Sequence, residues 1–311
     1  MATGKMDAEK EIKRNPHGDF KAIEASRPAF AANDFHYTQA PKPDWKPGSG
    51  PNEPSVLKKS HRSIDPYAEG RPVVHNYKML ISAIVPRPIG FVSTVAPDGK
   101  SSNLAPFSYF NMVNHDPPIF VLGFSGGKDR AKDSLKNLLE TKECTINIIT
   151  EEYIEAANFT AINAPIGVSE WSFSGLHGAK SSMVKPDRVQ EAVFSIEGKL
   201  VYTHEWTSKN PETPDKKTGV TAFVEGVHFW ARDDAIDEQN VLLDPAVSHH
   251  IWVEIMYADS EQVMKPISRL GGISYGRTTQ AFELPRPDYD EVTKDPEAAK
   301  LAKPMGPGQS E

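Results

Sequence analysis

The sequence is poor in cysteine, since Cys144 is the only one among 311 residues. An intramolecular disulfide is therefore excluded, and the composition is typical of proteins from a reducing compartment. Cys144 lies in the apolar segment 144–150, so we expect a buried, unreactive thiol and not a nucleophile. No stretch approaches about 18 consecutive apolar residues, and the first residues lack a signal-peptide pattern. The sequence thus predicts a cytoplasmic protein without a membrane partner.

An excess of positive charge is also missing. Lys and Arg number 35 against 42 Asp and Glu, which gives a net charge of −7. Because no basic block occurs, we expect no nucleic-acid partner and no anionic membrane surface as a partner.

Several motifs of common enzyme classes are absent as well. The ten histidines are scattered, and the adjacent pair His249-His250 would point to opposite faces of a strand. We therefore predict no metal site. The sequence lacks a G-x-S-x-G nucleophile elbow and a G-x-G-x-x-G dinucleotide fingerprint. It gives no support to a serine hydrolase or a Rossmann dehydrogenase.

Proline and charged residues are dense at both ends of the chain. They predict a proline-rich arm over 1–71, extended or disordered, and a polar tail over 285–311. The remaining residues, 72–284, are predicted to form one domain.

The central domain carries mostly strand patterns. Two helices are predicted, at about 129–141 and 151–161, and the first has Ala131, Leu135, Leu138 and Leu139 on one apolar stripe. Strands outnumber helices without a regular β-α-β alternation, so the predicted fold class is mainly β with a few helices, as an antiparallel barrel. The predicted strands are 88–95, 101–108, 118–124, 143–150, 192–206 and 220–232.

The first two strands form a hairpin that places polar groups at one end. Its turn, 96–99, contains Pro97 and Gly99, which suit a tight turn. Pro106 cannot donate to a sheet ladder and marks an edge or a bulge where a ligand can approach. Such a strand end can match the donors and acceptors of a flat polar cofactor, or its polar groups can simply face solvent. The groups concerned are Ser93, Thr94, Asn103, Ala105, Pro106 and Ser108.

A glycine-containing loop, 125–134, leads into the helix predicted at 129–141. A helix N-terminus presents unpaired amides and a positive partial charge, which suit a phosphate. Lys132 adds charge and Ser134 adds a hydroxyl, although an ordinary solvated helix start has the same appearance. Asp129 stands where a P-loop requires Ser or Thr, so a nucleoside triphosphatase is excluded.

Taken together, these segments resemble the flavin reductase-like family of FMN-binding split barrels. Its motifs are matched in order at 87–94, 98–108 and 132–134, and the resemblance extends over about 75–283. It implies an FMN-binding split β-barrel of antiparallel, Greek-key type. Further matches lie at 116–118, 144–147, 223–228 and 269–275.

The resemblance also implies an FMN site. Lys132 and Ser134 correspond to phosphate contacts, with Arg87 as a further candidate. Arg269 is ambiguous, because an arginine before Gly-Gly can equally pair with a carboxylate. The implied contacts to the ring and ribityl chain are Thr94, Asn103, Ala105 and Ser108, with Ser93, Leu104 and Pro106 on the same two strands.

The implied activity is that of an NAD(P)H-dependent flavin reductase, with NADH or NADPH as hydride donor and a homodimer as the assembly. The flavin carries the chemistry in such an enzyme, so no catalytic residue is predicted. Two alternatives stay open. One is an FMN-dependent oxygenase or reductase acting on a specific organic substrate, and the other is a non-catalytic flavin-binding barrel. The arm and the polar insertion 207–217 lie outside the family pattern, and either could cover the flavin.

Overall fold

The computed structural model describes residues 15–31, 35–165, 167–243 and 264–302; the pair His249-His250 lies outside them. The chain divides into two compact units, one formed by residues 1–34 and 66–278 and the other by 35–65 and 279–311. No helix in the described ranges is long and apolar enough to cross a membrane.

The strands, in chain order, are β1 (His36–Thr38), β2 (Gly90–Val95), β3 (Ser102–Phe107), β4 (Phe110–His115), β5 (Pro118–Ser125), β6 (Glu143–Ile148), β7 (Gly178–Ala179), β8 (Arg188–Val189), β9 (Phe194–Thr207), β10 (Lys217–Ala231), β11 (Ile267–Arg269), β12 (Tyr275–Arg277) and β13 (Gln280–Phe282). The helices are α1 (Phe20–Ala25), α2 (Val73–Ala83), α3 (Asp133–Thr141), α4 (Ile154–Phe159), α5 (Trp171–Ser174), α6 (Tyr289–Val292) and α7 (Pro296–Ala299). Short 3-10 turns lie at Pro54–Lys58, Lys128–Arg130 and Glu151–Tyr153.

The larger unit is built on a seven-stranded sheet in the order β3-β2-β6-β9-β10-β5-β4. Every neighbouring pair in it is antiparallel. The prediction of a mainly β, antiparallel split barrel is confirmed.

Two hydrophobic cores lie on opposite faces of β2. Val92 packs in the first core with Leu135 and Leu138 of α3. Phe91 packs in the second core with Leu104 of β3 and Tyr153. Because side chains alternate along a strand, Thr94 shares the face of Val92, whereas Ser93 shares the face of Phe91.

The lone cysteine is part of the first core. Cys144 is fully buried, and burial raises the pKa of its thiol to about 12. A thiol with that pKa is protonated at neutral pH and is a poor nucleophile. The predicted burial of the cysteine is confirmed, and its low reactivity stays a prediction.

The smaller unit brings its two chain segments together through a parallel pairing of β1 with β13, in which Tyr37 lies opposite Ala281. The N-cap residues of α6 and α7 are Asp288 and Asp295, whose side chains accept hydrogen bonds from first-turn amides. The domain bounds derived from the sequence remain a prediction.

The six predicted strands are present, with ends shifted by a few residues. The helix predicted at 129–141 is a 3-10 turn followed by α3, because Ala131 and Lys132 have extended backbones. Sequence reasoning missed α2 and β4. Five of the six residues in β4 are exposed, so it shows no alternation of apolar and polar residues. The polar insertion 207–217 connects β9 to β10 in one long hairpin.

Candidate functional site

A cluster of polar side chains lies between α3 and the β2–β3 hairpin. Thr94 and Asn103 are directly opposite each other in the antiparallel pair, so both point to the face covered by α3. Ser134 and Asn137 are three residues apart on α3 and share one helix face. All four side chains are buried, with no more than 7% of any residue exposed.

Hydrogen bonds join the two elements across this cluster. The Asn103 amide lies 2.6 Å from Ser134 Oγ, and Asn137 Nδ2 donates to Thr94 Oγ1 at 3.2 Å. Leu135 and Leu138, on the core-facing side of the same helix, fix its position against β2. The polar groups are therefore held by the packing of α3.

A cleft of about 90 Å³ opens beside the cluster. Its lining carries one cation, Lys136, and two carboxylates, Asp133 and Glu140. The remaining lining residues are Ala96, Pro97, Ser101, Ser102, Asn103, Asn137, Gly167 and Val168.

The start of α3 carries a lysine at its N-cap and a carboxylate, Asp133, in its first turn. Lys132 is the N-cap residue, and its side chain does not cap the helix. A helix start without a side-chain cap leaves first-turn amides available for another acceptor. The glycine-containing loop before α3 is different, because one of its amides already has an acceptor. The Lys128 amide donates to Glu205 Oε1 at 2.7 Å.

Glu170 is a buried acid next to the cluster and was missed by sequence reasoning. Only 6% of the residue is exposed, and the Leu104 amide lies 3.5 Å from its Oε2. Burial raises the pKa of this carboxyl, and the negative charge of Asp133 adds to the effect. No pattern around Glu170 marks it in the sequence, because its partners come from β3.

Three of the predicted site residues have side chains on the opposite face of the hairpin. They are Ser93, Leu104 and Pro106. Ser93 pairs with Leu104, and Pro106 pairs with Phe91 of the second core, so all three side chains point to that core. Ser93 Oγ is buried without a hydrogen-bond partner among the residues that the structure describes. Two further predicted residues are Ala105 and Ser108. Ala105 pairs with Val92 and lies on the face covered by α3, and Ser108 follows the last residue of β3.

Arg87 lies outside the cluster and binds backbone carbonyls. Its Nη1 donates to Ile81 O at 2.5 Å and Ile84 O at 2.7 Å, and its Nη2 donates to Leu270 O at 3.0 Å. These bonds join the end of α2 to the segment before β12, so three carbonyls already occupy the Arg87 guanidinium. The Arg269 guanidinium stacks on the ring of Tyr275, 4.3 Å from its centroid.

We expect Arg87→Lys to lower the free energy of unfolding by about 2 kcal/mol, because an ammonium group cannot reproduce the fork that reaches three carbonyls. Urea denaturation of the variant and of the wild type would measure this difference. Arg27→Lys, at an exposed position, is the matched control and should leave stability unchanged. Equal unfolding midpoints for all three proteins would contradict this stabilising role of the Arg87 hydrogen bonds.

Comparison with known proteins places this chain in a family. Residues 82–252, more than half of the chain, match the model of the flavin reductase like domain. An uncharacterised protein of Aquifex aeolicus is 43% identical over 125 residues, which are 40% of this chain and 63% of that protein. The chain thus spans less than two thirds of that relative.

Two solved structures are also similar over most of the chain. Nitrilotriacetate monooxygenase component B from Bacillus cereus is 27% identical with a TM-score of 0.59, and the match covers 73% of this chain and 100% of that one. The 2-nitrobenzoate 2-nitroreductase NbaA of Pseudomonas fluorescens is 26% identical with a TM-score of 0.58, covering 74% and 98%. The chain belongs to the flavin reductase-like family, and its seven-stranded sheet is the split barrel of that family.

Proposed function

We propose that this protein binds FMN and acts as an NAD(P)H-dependent flavin reductase. The observation that carries the proposal is the buried cluster of Thr94, Asn103, Ser134 and Asn137 at the start of α3. It gathers residues of the hairpin and the helix that are distant in the chain, and the family motifs fall on three of them.

The donor set of the cluster fits the phosphate end of the cofactor. Hydroxyl and amide groups bind phosphate oxygens and ribityl hydroxyls without adding charge, and the first-turn amides of α3 add donors. The adjoining cleft of about 90 Å³, to which Asn103 and Asn137 of the cluster contribute, is too small for the whole molecule. We place the phosphate at Lys132 and Ser134, the ribityl chain near Thr94 and Asn103, and the ring toward Ala105 and Ser108.

FMN held by these residues would supply a hydride acceptor for the nicotinamide and a source of electrons for the next acceptor. The residues of this chain bind and orient the cofactor, which explains why the cluster contains no residue built as a nucleophile. A second copy of the chain is proposed to complete the site as a homodimer. The similarity to component B of a monooxygenase supports a reductase whose product serves a partner enzyme.

A second candidate function rests on the similarity to a nitroreductase. In this case the same residues would hold FMN throughout, and the cofactor would supply electrons to an organic substrate, such as a nitroaromatic compound, at that site. The two functions require the same cofactor site and differ in the final electron acceptor.

One series of measurements tests both functions. The purified protein is loaded with FMN, titrated anaerobically with NADH and NADPH, and followed by its visible absorption. Bleaching of the flavin supports a reductase, and stimulation of turnover by added free flavin supports transfer to a partner. Turnover with 2-nitrobenzoate and without free flavin favours the second candidate. A protein that binds no FMN would refute both.

A further inference from the structure

The smaller unit has regular elements but no apolar core. Its strands β1 and β13 form a two-stranded sheet, and its helices α6 and α7 have four residues each. Within the described ranges 35–65 and 279–302, Ala298 is the only buried residue. Two-stranded sheets and one-turn helices are marginal in water on their own. The unit therefore lacks the burial that would hold its elements in place.

Large apolar side chains of the smaller unit face solvent. Leu57 is 77% exposed, Leu284 72% and Tyr289 69%. Six more, among them Tyr37 and Trp45, are 42–54% exposed. At roughly 100 Å² each, these side chains expose about 900 Å², close to the ~800 Å² that each partner buries in a standard protein–protein interface. The unit thus carries enough apolar area for an interaction surface.

Prolines and a closed turn fix the shape of the first segment of this unit. Five prolines lie between residues 41 and 54, and each restricts φ. The Trp45 indole donates to the Gly50 carbonyl at 2.9 Å. Gly48 has a φ of +84°, and a Cβ at this position would lie 3.1 Å from Leu301 Cδ1. A segment restricted in this way loses little conformational freedom on docking, which favours association.

The larger unit has an exposed surface of complementary chemistry on its long hairpin. Because Val224 lies in the first core and side chains alternate along a strand, its neighbour Phe223 points away from that core. Tyr202 lies directly opposite Phe223, and 57% of Tyr202 is exposed. We call this surface the aromatic face; its residues on β9 and β10 are Tyr202, His204, Trp206, Thr221 and Phe223.

Contacts within the aromatic face hold its rings in place. The rings of Tyr202 and Phe223 are 5.8 Å apart, and those of His204 and Trp206 are 4.2 Å apart. The Trp206 indole donates to Thr221 Oγ1 at 2.9 Å. Tyrosine and tryptophan are enriched at the centres of protein interfaces, where charged residues are depleted. The face has this composition, since none of its residues is an acid, a lysine or an arginine.

The charges of the chain favour a second copy as the partner. Segment 35–65 carries five Lys or Arg against three Asp or Glu, a net charge of +2. Residues 66–278 carry 20 against 26, a net charge of −6. Lys58 and Lys59 are exposed and make no ion pair within the part of the chain that the structure describes. Residues 279–311 are acidic, with seven carboxylates against four cations, so the basic segment makes the contact that charge supports.

We propose that the smaller unit of one copy docks, through segment 35–65, on the aromatic face of a second copy. Both surfaces belong to the same chain, so reciprocal docking covers both in each copy and closes the assembly as a two-fold dimer. The proposed function calls for a homodimer, and this inference adds that the proline-rich segment joins its subunits. It does not depend on the FMN site.

Thiol cross-linking tests which surfaces meet. The single native cysteine, Cys144, is buried, so an introduced cysteine supplies the reactive thiol. Leu57→Cys and Tyr202→Cys chains are co-expressed and treated with a bifunctional maleimide that has a flexible spacer. We expect a species of twice the chain mass that joins one chain of each kind. Val241→Cys, at a position that is 72% exposed and outside both surfaces, replaces Tyr202→Cys as the matched control and should give no such species.

The oligomeric state of a second variant is measured by light scattering over a dilution series. Leu57→Glu with Leu284→Glu places two charges on the apolar surface, and both side chains are exposed, so the chain should still fold. We expect the dimer dissociation constant to rise by about 30-fold or more. Val241→Glu adds a charge outside both surfaces and should leave the dissociation constant of the wild type unchanged.

The outcomes separate this inference from the proposed function. A monomeric wild type refutes it, and so does an unchanged dissociation constant in the Leu57→Glu and Leu284→Glu variant. A link between Leu57→Cys and Tyr202→Cys that forms only within one doubly substituted chain refutes it as well. A cross-linked dimer that binds no flavin leaves this inference standing and refutes the proposed function. Binding of FMN by a monomeric wild type does the reverse.

Discussion

Replacing both Lys132 and Ser134 by alanine is expected to weaken FMN binding by about 2–4 kcal/mol, or roughly 30-fold to 1000-fold in Kd. Each charge-assisted bond to a phosphate contributes about 1–3 kcal/mol. Lys132 is the N-cap residue of α3 and Ser134 lies in its first turn, so the double variant removes two groups from one helix start. Flavin fluorescence titration would measure the change.

Riboflavin and a second variant serve as controls for this experiment. Riboflavin should bind the double variant and the wild type with equal affinity, because it lacks the phosphate. Lys128→Ala removes the same charge from the same segment, but its amino group donates to Thr203 on β9 at 2.8 Å, so FMN affinity should be retained. Equal losses of affinity for FMN and riboflavin would contradict the placement of the phosphate at Lys132 and Ser134.

Glu197→Gln is expected to lower the free energy of unfolding by about 3 kcal/mol. The Glu197 side chain is fully buried and accepts hydrogen bonds from the amides of Ser182, at 2.7 Å, and Met183, at 2.5 Å. It also accepts from the Trp230 indole at 2.6 Å. An amide group in its place turns two hydrogens toward these donors, so at least one buried donor loses its acceptor.

The Glu197 carboxylate also makes the stability of the fold depend on pH. Burial alone would raise the pKa of Glu197, but the bonds from Ser182, Trp230 and Met183, together with the nearby His228, hold that pKa below its ordinary value of 4.5. A lowered pKa in the folded state means that the stabilisation is complete above the unfolded pKa and is lost as pH falls through the folded pKa. The difference in melting temperature between the wild type and Glu197→Gln should therefore become smaller at pH values below about 4.5.

Glu212→Gln is the matched control for Glu197→Gln, because Glu212 is exposed. It should unfold at the wild-type temperature at neutral pH. If Glu197→Gln also unfolds at the wild-type temperature, the hydrogen bonds from the amides of residues 182–184 to the carboxylate do not stabilise the fold.

The barrel strands and α3 could be predicted because their signals are local. Apolar residues alternate in β10, and Leu135 and Leu138 recur at helical spacing, so burial on one face shows directly in the sequence. The strand β4 gave no such signal, since its Met112 and Val113 are exposed.

The details of the site depend on contacts between distant segments, and here prediction was weaker. Thr94 and Asn103 could be grouped because the turn at 96–99 fixes their register. That Ser93 points the other way follows from alternation only once both faces of β2 are known to be buried. Arg87 matched a family motif, but its side-chain partners come from α2 and from Leu270. Glu170 lies 66 residues from Leu104 in the chain, so no local pattern could connect them.

The short helix α3 has one further consequence for experiment. Its Leu135 and Leu138 anchor the first core, while its first turn carries the proposed phosphate contact. A compound bound at that turn stabilises the folded state by mass action. Because α3 packs into the first core, this raises the free energy of unfolding of the whole barrel. The melting temperature can therefore serve as a label-free screen of flavins, nicotinamides and organic acceptors, and it can rank cognate molecules before any turnover assay exists.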